Sequence, residues 1–105
     1  MRLTEHEQQN IVASIGKFVG QHLATLYLYG SRTDDALKGG DIDLVLVTDR
    51  PTEKLLQPQK YAMLVAIKEK LGERRIDLSV ISSEQIPNDP FWKNVLPQAV
   101  KLGEW

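Results

Sequence analysis

Two apolar runs joined by a short glycine-rich segment constrain this chain more than any other feature. Residues 26–47 read LYLYGSRTDDALKGGDIDLVLV. The first run ends at Tyr29 and gives way to Gly30-Ser31. The second opens with Asp41-Ile42-Asp43 and continues through Leu44, Val45, Leu46 and Val47. Short runs rich in β-branched and aromatic residues, bounded by glycines, are strand signals. Side chains alternate along a strand, so Asp41 and Asp43 point to one face. Two carboxylates on one face repel each other, and in a partly closed site they also lose hydration, unless a cation lies between them. A hard divalent ion that takes oxygen ligands, Mg²⁺ foremost, resolves that conflict.

The Gly-Ser pair supplies a complementary element. Gly30 has no Cβ, so the backbone can turn sharply there and a ligand can approach closely. Ser31 is placed to cap a short helix over residues 32–37, with Asp34 three positions on and Gly39 as the terminating glycine. The free N–H groups at such a helix start favour an anion such as a phosphate. One turn then holds phosphates while the next strand holds the metal that neutralises them. Positioning a phosphate, offsetting its charge and aligning an attacking oxygen are the physical needs of nucleotidyl transfer. Taken singly, a Gly-Ser turn or an Asp-x-Asp pair is more often structural; the order of the elements is what carries weight.

A third acid follows in Ile76-Asp77-Leu78-Ser79-Val80-Ile81. A carboxylate inside an aliphatic strand pattern is unfavourable without a partner. Two readings stand for Asp77: completion of a two-metal site, or an ion pair with Arg74 or Arg75.

The remaining elements follow from periodicity and capping. The first helix starts at Thr4, with Glu7 closing a capping box and Ile11, Val12, Ile15, Phe18 and Val19 as one stripe. Strands are expected over 24–29, 42–48 and 75–81. Ile42, Leu44 and Leu46 face the core, and Asp41, Asp43 and Val45 face a cleft. Pro51 and Pro58 bracket a loop or a helix start. A helix with Tyr61, Leu64, Val65, Lys68 and Leu71 on its stripe ends at Gly72. Pro87 to Pro90 mark a turn, and residues 91–102 read as a helix that Pro97 starts or kinks. The fold class expected is α/β (α+β), a small mixed sheet flanked by helices, in one domain over residues 1–105.

Composition narrows the function classes. The net charge of −1 leaves no electrostatic footprint for nonspecific nucleic-acid binding. The chain has no cysteine, which excludes disulfides and thiolate zinc sites. No apolar run approaches membrane-spanning length and the N-terminus is unlike a signal peptide, so no membrane role and a cytoplasmic location are expected. His6 and His22 have no metal-ligand spacing and read as surface or helix-end residues. Arg32 and Lys38 flank the turn, where a triphosphate contact and plain solvation are both open. Lys68, Lys70, Arg74 and Arg75, balanced by Glu69 and Glu73, read as a solvated helix end. Phe91 is expected in the core, with Trp92 or Trp105 as candidates for a partner interface.

Gly30-Ser31, Asp41-Ile42-Asp43 and Ile76-Asp77-Leu78 resemble, in order, the three signature elements of the DNA polymerase beta-like nucleotidyltransferase superfamily. The resemblance runs from the first helix to the third acid strand. It is strongest to the minimal nucleotidyltransferases paired with HEPN-domain proteins in prokaryotic operons. The segment between Ser31 and Asp41 is one residue shorter than in the commonest version, and Thr33-Asp34-Asp35 replaces its small-residue pattern. The resemblance implies a polymerase beta-like core. It implies Asp41, Asp43 and Asp77 as catalytic and metal-binding residues for two Mg²⁺ ions, with Gly30, Ser31 and Arg32 binding the nucleotide. It further implies ATP as substrate and AMP transfer to a co-encoded HEPN-type toxin, with the chain acting as antitoxin. Two alternatives stand beside that reading: a non-catalytic antitoxin that acts by occlusion, and a transferase acting on RNA or a small-molecule hydroxyl.

Overall fold

The computed structural model describes residues 3–30, 42–72 and 74–105. The helix expected over 32–37 lies outside them, as do Ser31, Arg32, Lys38 and Asp41.

The chain begins with helix α1 (Glu5–Val19), whose start is set by its sequence. The Thr4 hydroxyl accepts from the Glu7 N–H at 3.0 Å, and the Thr4 N–H donates to the Glu7 carboxylate at 2.9 Å, a complete capping box. Strand β1 (Ala24–Tyr29) and strand β2 (Ile42–Thr48) pair antiparallel, with Tyr29 opposite Asp43. Helix α2 (Arg50–Leu56) starts at Asp49, whose side chain caps the Thr52 N–H. A 3₁₀ turn at Gln57–Gln59 leads into helix α3 (Lys60–Leu71), which stops at Gly72. Strand β3 (Ile76–Ser82) then pairs parallel with β2. The two helices between them form the crossover that a parallel pair requires. A 3₁₀ turn at Ile86–Asn88, helix α4 (Pro90–Val95), a second 3₁₀ turn at Leu96–Gln98 and strand β4 (Val100–Glu104) complete the chain. Among the described residues, the strands form one mixed sheet in the order β3-β2-β1-β4. No helix among the described residues is long and apolar enough to cross a membrane.

Strand alternation sorts the side chains into two layers. Leu26 and Leu28, Ile42, Leu44 and Leu46, and Ile76, Leu78 and Val80 face α1 and α3, where Ile11, Ile15, Met63 and Ile67 meet them. Leu26, Leu28, Ile42, Leu44 and Leu46 are wholly buried, and each contributes roughly 1.5–3 kcal/mol of hydrophobic stabilisation. The opposite face carries Tyr29, Val45 and Ile81 under Trp92, with Tyr27, Val47, Val95 and Leu96 at the margin. One face is therefore sealed by two long helices and the other by the short α4 and its flanking turns.

Three expectations require correction. Residues 91–102 do not form one helix. The helix ends at Val95, and Val100–Glu104 is an edge strand on β1. Pro97 lacks an N–H and breaks the helical ladder, and Val100 and Leu102 then alternate with Lys101 as a half-buried strand does. The buried stripe of α3 is Met63 and Ile67 with Leu64 and Leu71 beside them, while Tyr61, Val65 and Lys68 are exposed. Residues 61–67 are apolar at every position, so periodicity cannot fix the phase of that helix. Trp92 and Phe91 exchange the expected roles. Trp92 is 7% exposed and packs on the sheet, whereas Phe91 is 54% exposed.

Candidate active site

The parallel register of β2 and β3 sets the geometry of the site. Asp43 pairs with Asp77 directly across the two strands, and Tyr29 pairs with Asp43 on the other side. Residues in register on neighbouring strands point to the same face, about 4.8 Å apart along the hydrogen-bonding direction. Tyr29, Asp43 and Asp77 therefore form one row across the sheet, on the face that α4 covers. The row lies where β1 ends and where β2 and β3 begin. Val45 and Ser79 occupy the next row in, so Asp43 and Asp77 mark the point where the apolar surface gives way to charge.

Gly30 fits closely against this row. Its φ is +75°, in the region that favours glycine. A Cβ built on it would meet the Asp43 Oδ2 at 2.5 Å. The turn thus presses directly on one carboxylate, and only glycine leaves room for it. Asp43 is half-buried and Asp77 is exposed. Burial pushes the Tyr29 hydroxyl above its ordinary pKa. Asp77 and Asp43 push the same way, against a hydrogen bond with Ser79. The Tyr29 ring is held edge-on by Trp92 and Phe91, with centroids 5.1 and 6.2 Å away.

Of the residues expected at the site, Gly30, Asp43 and Asp77 are brought together at one end of the sheet. Ser31, Arg32 and Asp41 lie outside the described residues. Arg74, one of the two arginines considered as an ion-pair partner for Asp77, is bonded to the Glu7 carboxylate on α1. His22 lies beside Thr52 and His6 beside Asn10, both away from the Asp43–Asp77 row. Among the described residues no three acids, histidines or cysteines converge to hold a metal. The two described acids nonetheless fit one. They are hard oxygen donors in adjacent register, and one is packed against a glycine that leaves space at the carboxylate.

Tyr29 and Ser79 were not among the residues expected here. The signal was available, because Tyr29 precedes Gly30 and Ser79 is two residues past Asp77 on the same strand face.

Residues 9–100 match the family model described as nucleotidyltransferase domain, so the chain belongs to that family. Nucleotidyl transfer is accordingly the class of activity that the family supports for this chain, and nucleoside triphosphates and a divalent metal are typical of the family. No curated protein matches the chain. The crystal structure of a candidate nucleotidyltransferase from Sulfolobus solfataricus is similar over 90% of this chain and 81% of its own, at 16% identity and a TM-score of 0.43.

Proposed function

We propose that this chain is a Mg²⁺-dependent nucleotidyltransferase that moves AMP from ATP to a hydroxyl of a co-encoded HEPN-type toxin, and so acts as its antitoxin. The observation that carries the chemical part of this reading is the in-register Asp43–Asp77 pair beside the Gly30 turn.

In this reading the triphosphate lies across the Gly30 turn, with Ser31 and Arg32 as its further contacts. Asp41, Asp43 and Asp77 hold the metal. A bound divalent pair supplies charge neutralisation for the triphosphate and for the pyrophosphate that leaves. Asp77 is exposed, so its carboxylate can meet an incoming acceptor and take the hydroxyl proton. The acceptor oxygen forms a bond to the α-phosphorus as the bond from that phosphorus to the bridging oxygen breaks. Pyrophosphate leaves with the bond electrons. Asp43, held against Gly30, acts by position, because alignment supplies much of the rate in such reactions.

A protein acceptor is favoured by one exposed aromatic side chain near the site: Phe91 stands out on the α4 side of the row, and aromatic residues are enriched at protein interfaces.

The test is to incubate the purified protein with α-labelled ATP, Mg²⁺ and the co-encoded helical protein. The expected result is a mass gain of one AMP on that protein, absent with Asp77→Asn. A partner that binds tightly and remains unmodified with every nucleotide and metal would replace this reading with occlusion.

A further inference from the structure

Tyr29 belongs to the carboxylate row by register, but its hydroxyl bonds elsewhere. It stands opposite Asp43, and Asp43 stands opposite Asp77, so the three side chains share one face. The Tyr29 hydroxyl is nevertheless hydrogen-bonded to Ser79, two residues past Asp77 on β3. We propose that Ser79 is a positioning residue whose Oγ holds the Tyr29 hydroxyl away from Asp77 and Asp43, and so keeps those carboxylates open to a divalent cation. The proposal rests on the reading of the row as the metal site of nucleotidyl transfer, and it gives a part to a residue which that reading leaves unused.

Reach is the first argument. Neighbouring strands are about 4.8 Å apart, and β3 lies two strands from β1. The Tyr29 ring therefore crosses β2 to meet Ser79, which pairs with Val45 one row inward of the acids. The ring tip ends on β3, where Asp77 is the next side chain outward on the same face. Burial foremost raises the pKa of this hydroxyl and the Ser79 bond opposes the rise. The charges of Asp77 and Asp43 add to it, so both carboxylates are close enough to act on the hydroxyl.

Confinement is the second. Tyr29 is 8% exposed and packs in the layer under Trp92. Trp92 and Phe91 hold its ring edge-on, so the ring cannot swing the hydroxyl out to solvent. A buried hydroxyl left unpaired is costly, so this one must find an acceptor nearby. Its hydrogen turns freely about the C–O bond, and Ser79 and the two carboxylates are the acceptors on that side.

The third argument is competition. A hydroxyl bond to a carboxylate is charge-assisted and stronger than one to a neutral oxygen. Without Ser79 the hydroxyl would turn to the row, and the lone pair it took would be lost to the metal. Asp77 is exposed, so water weakens that bond. The expected loss of metal affinity is therefore about tenfold, the low end for a hydrogen bond to a charged group.

The test is titration with Mn²⁺, with the free ion followed by electron paramagnetic resonance. The proteins are the unsubstituted chain, Ser79→Ala, Tyr29→Phe and the double variant. Each substitution removes one hydroxyl and keeps the rest of the side chain, so all should fold, which circular dichroism checks. Ser79→Ala should bind Mn²⁺ about tenfold more weakly. Tyr29→Phe should bind as the unsubstituted chain does. The double variant should recover that affinity, because the competing hydroxyl is gone; damage to the fold alone would not be repaired by a second deletion. Unchanged affinity in Ser79→Ala overturns the proposal. So does a loss that persists in the double variant, or a loss in Tyr29→Phe alone. Those three results leave the metal site standing. Failure of the unsubstituted chain to bind Mn²⁺ overturns the metal site and the role of Ser79 together.

Discussion

Replacing Gly30 with alanine separates the cost to the fold from the cost to the site. The backbone has φ +75° there, and a non-glycine residue in the left-handed region costs roughly 1–2 kcal/mol. For a domain of this size each kcal/mol lowers Tm by about 4–8 °C. The new Cβ would also lie 2.5 Å from the Asp43 Oδ2. An ordinary contact is about 3.5 Å, so the carboxylate must retreat by about 1 Å. That carboxylate is the far end of a side chain, so it, rather than the backbone, takes up the shift. The site is affected far more, because a 1 Å misplacement of a positioned group costs about 100-fold in rate. Gly20→Ala is the control. Gly20 has φ +61° and open space around its would-be Cβ, so a Cβ there strains the backbone with no carboxylate to displace. Both variants should lose stability by thermal denaturation, and only Gly30→Ala should lose transfer activity by about 100-fold. Equal activity of the two variants would refute the reasoning.

Two further outcomes follow from the packing and the charges. Trp92→Ala should cost about 3–5 kcal/mol in urea unfolding, while its exposed neighbour Phe91→Ala should cost only about 0.5–1.5 kcal/mol for its edge contacts. Similar losses would contradict the assignment of Trp92 to the core. Partial burial opposes the charge on Glu7, but hydrogen bonds from Thr4 and Arg74 outweigh it and hold its pKa below the ordinary 4.5. A group with a lowered folded pKa stabilises the fold above its unfolded value and loses that stabilisation as pH falls through the folded value. Stability should therefore decline below about pH 4.5, and Arg74→Ala should flatten that decline in acid unfolding curves. An unchanged slope would remove the Glu7–Arg74 pair as its source.

The elements that carry the site were legible because each has its own local signal. Thr4 and Glu7 mark the first helix by capping chemistry. The runs ending at Tyr29 and starting at Ile42 give β1 and β2 to within a residue. Ile76–Ile81 gives β3 by its aliphatic pattern, extended by Ser82 in the structure. The zero offset between β2 and β3, which sets Asp43 beside Asp77, is a nonlocal fact. No residue in either strand states it; it follows from the length of the α2–α3 crossover and the packing beneath. The final strand was missed for a similar reason. Val100–Glu104 is short, lies at an edge, and gains its pairing only when β1 is present. The phase of α3 was lost because its middle is apolar on every side. Phe91 and Trp92 are adjacent in sequence, and only tertiary packing decides which of the two turns inward.

The central claim is tested most directly by calorimetric titration of ATP into the protein with Mg²⁺ and, separately, with EDTA. The companion protein is the double variant Asp43→Asn with Asp77→Asn, which keeps the shape of both side chains. Binding by the unsubstituted chain should require the metal. The double variant should remain folded, since Asp77 is exposed and Asp43 only half-buried, and should show no metal-dependent binding. ATP binding of equal strength with and without metal, or retained in full by the double variant, would contradict the assignment of this carboxylate row to nucleotidyl transfer.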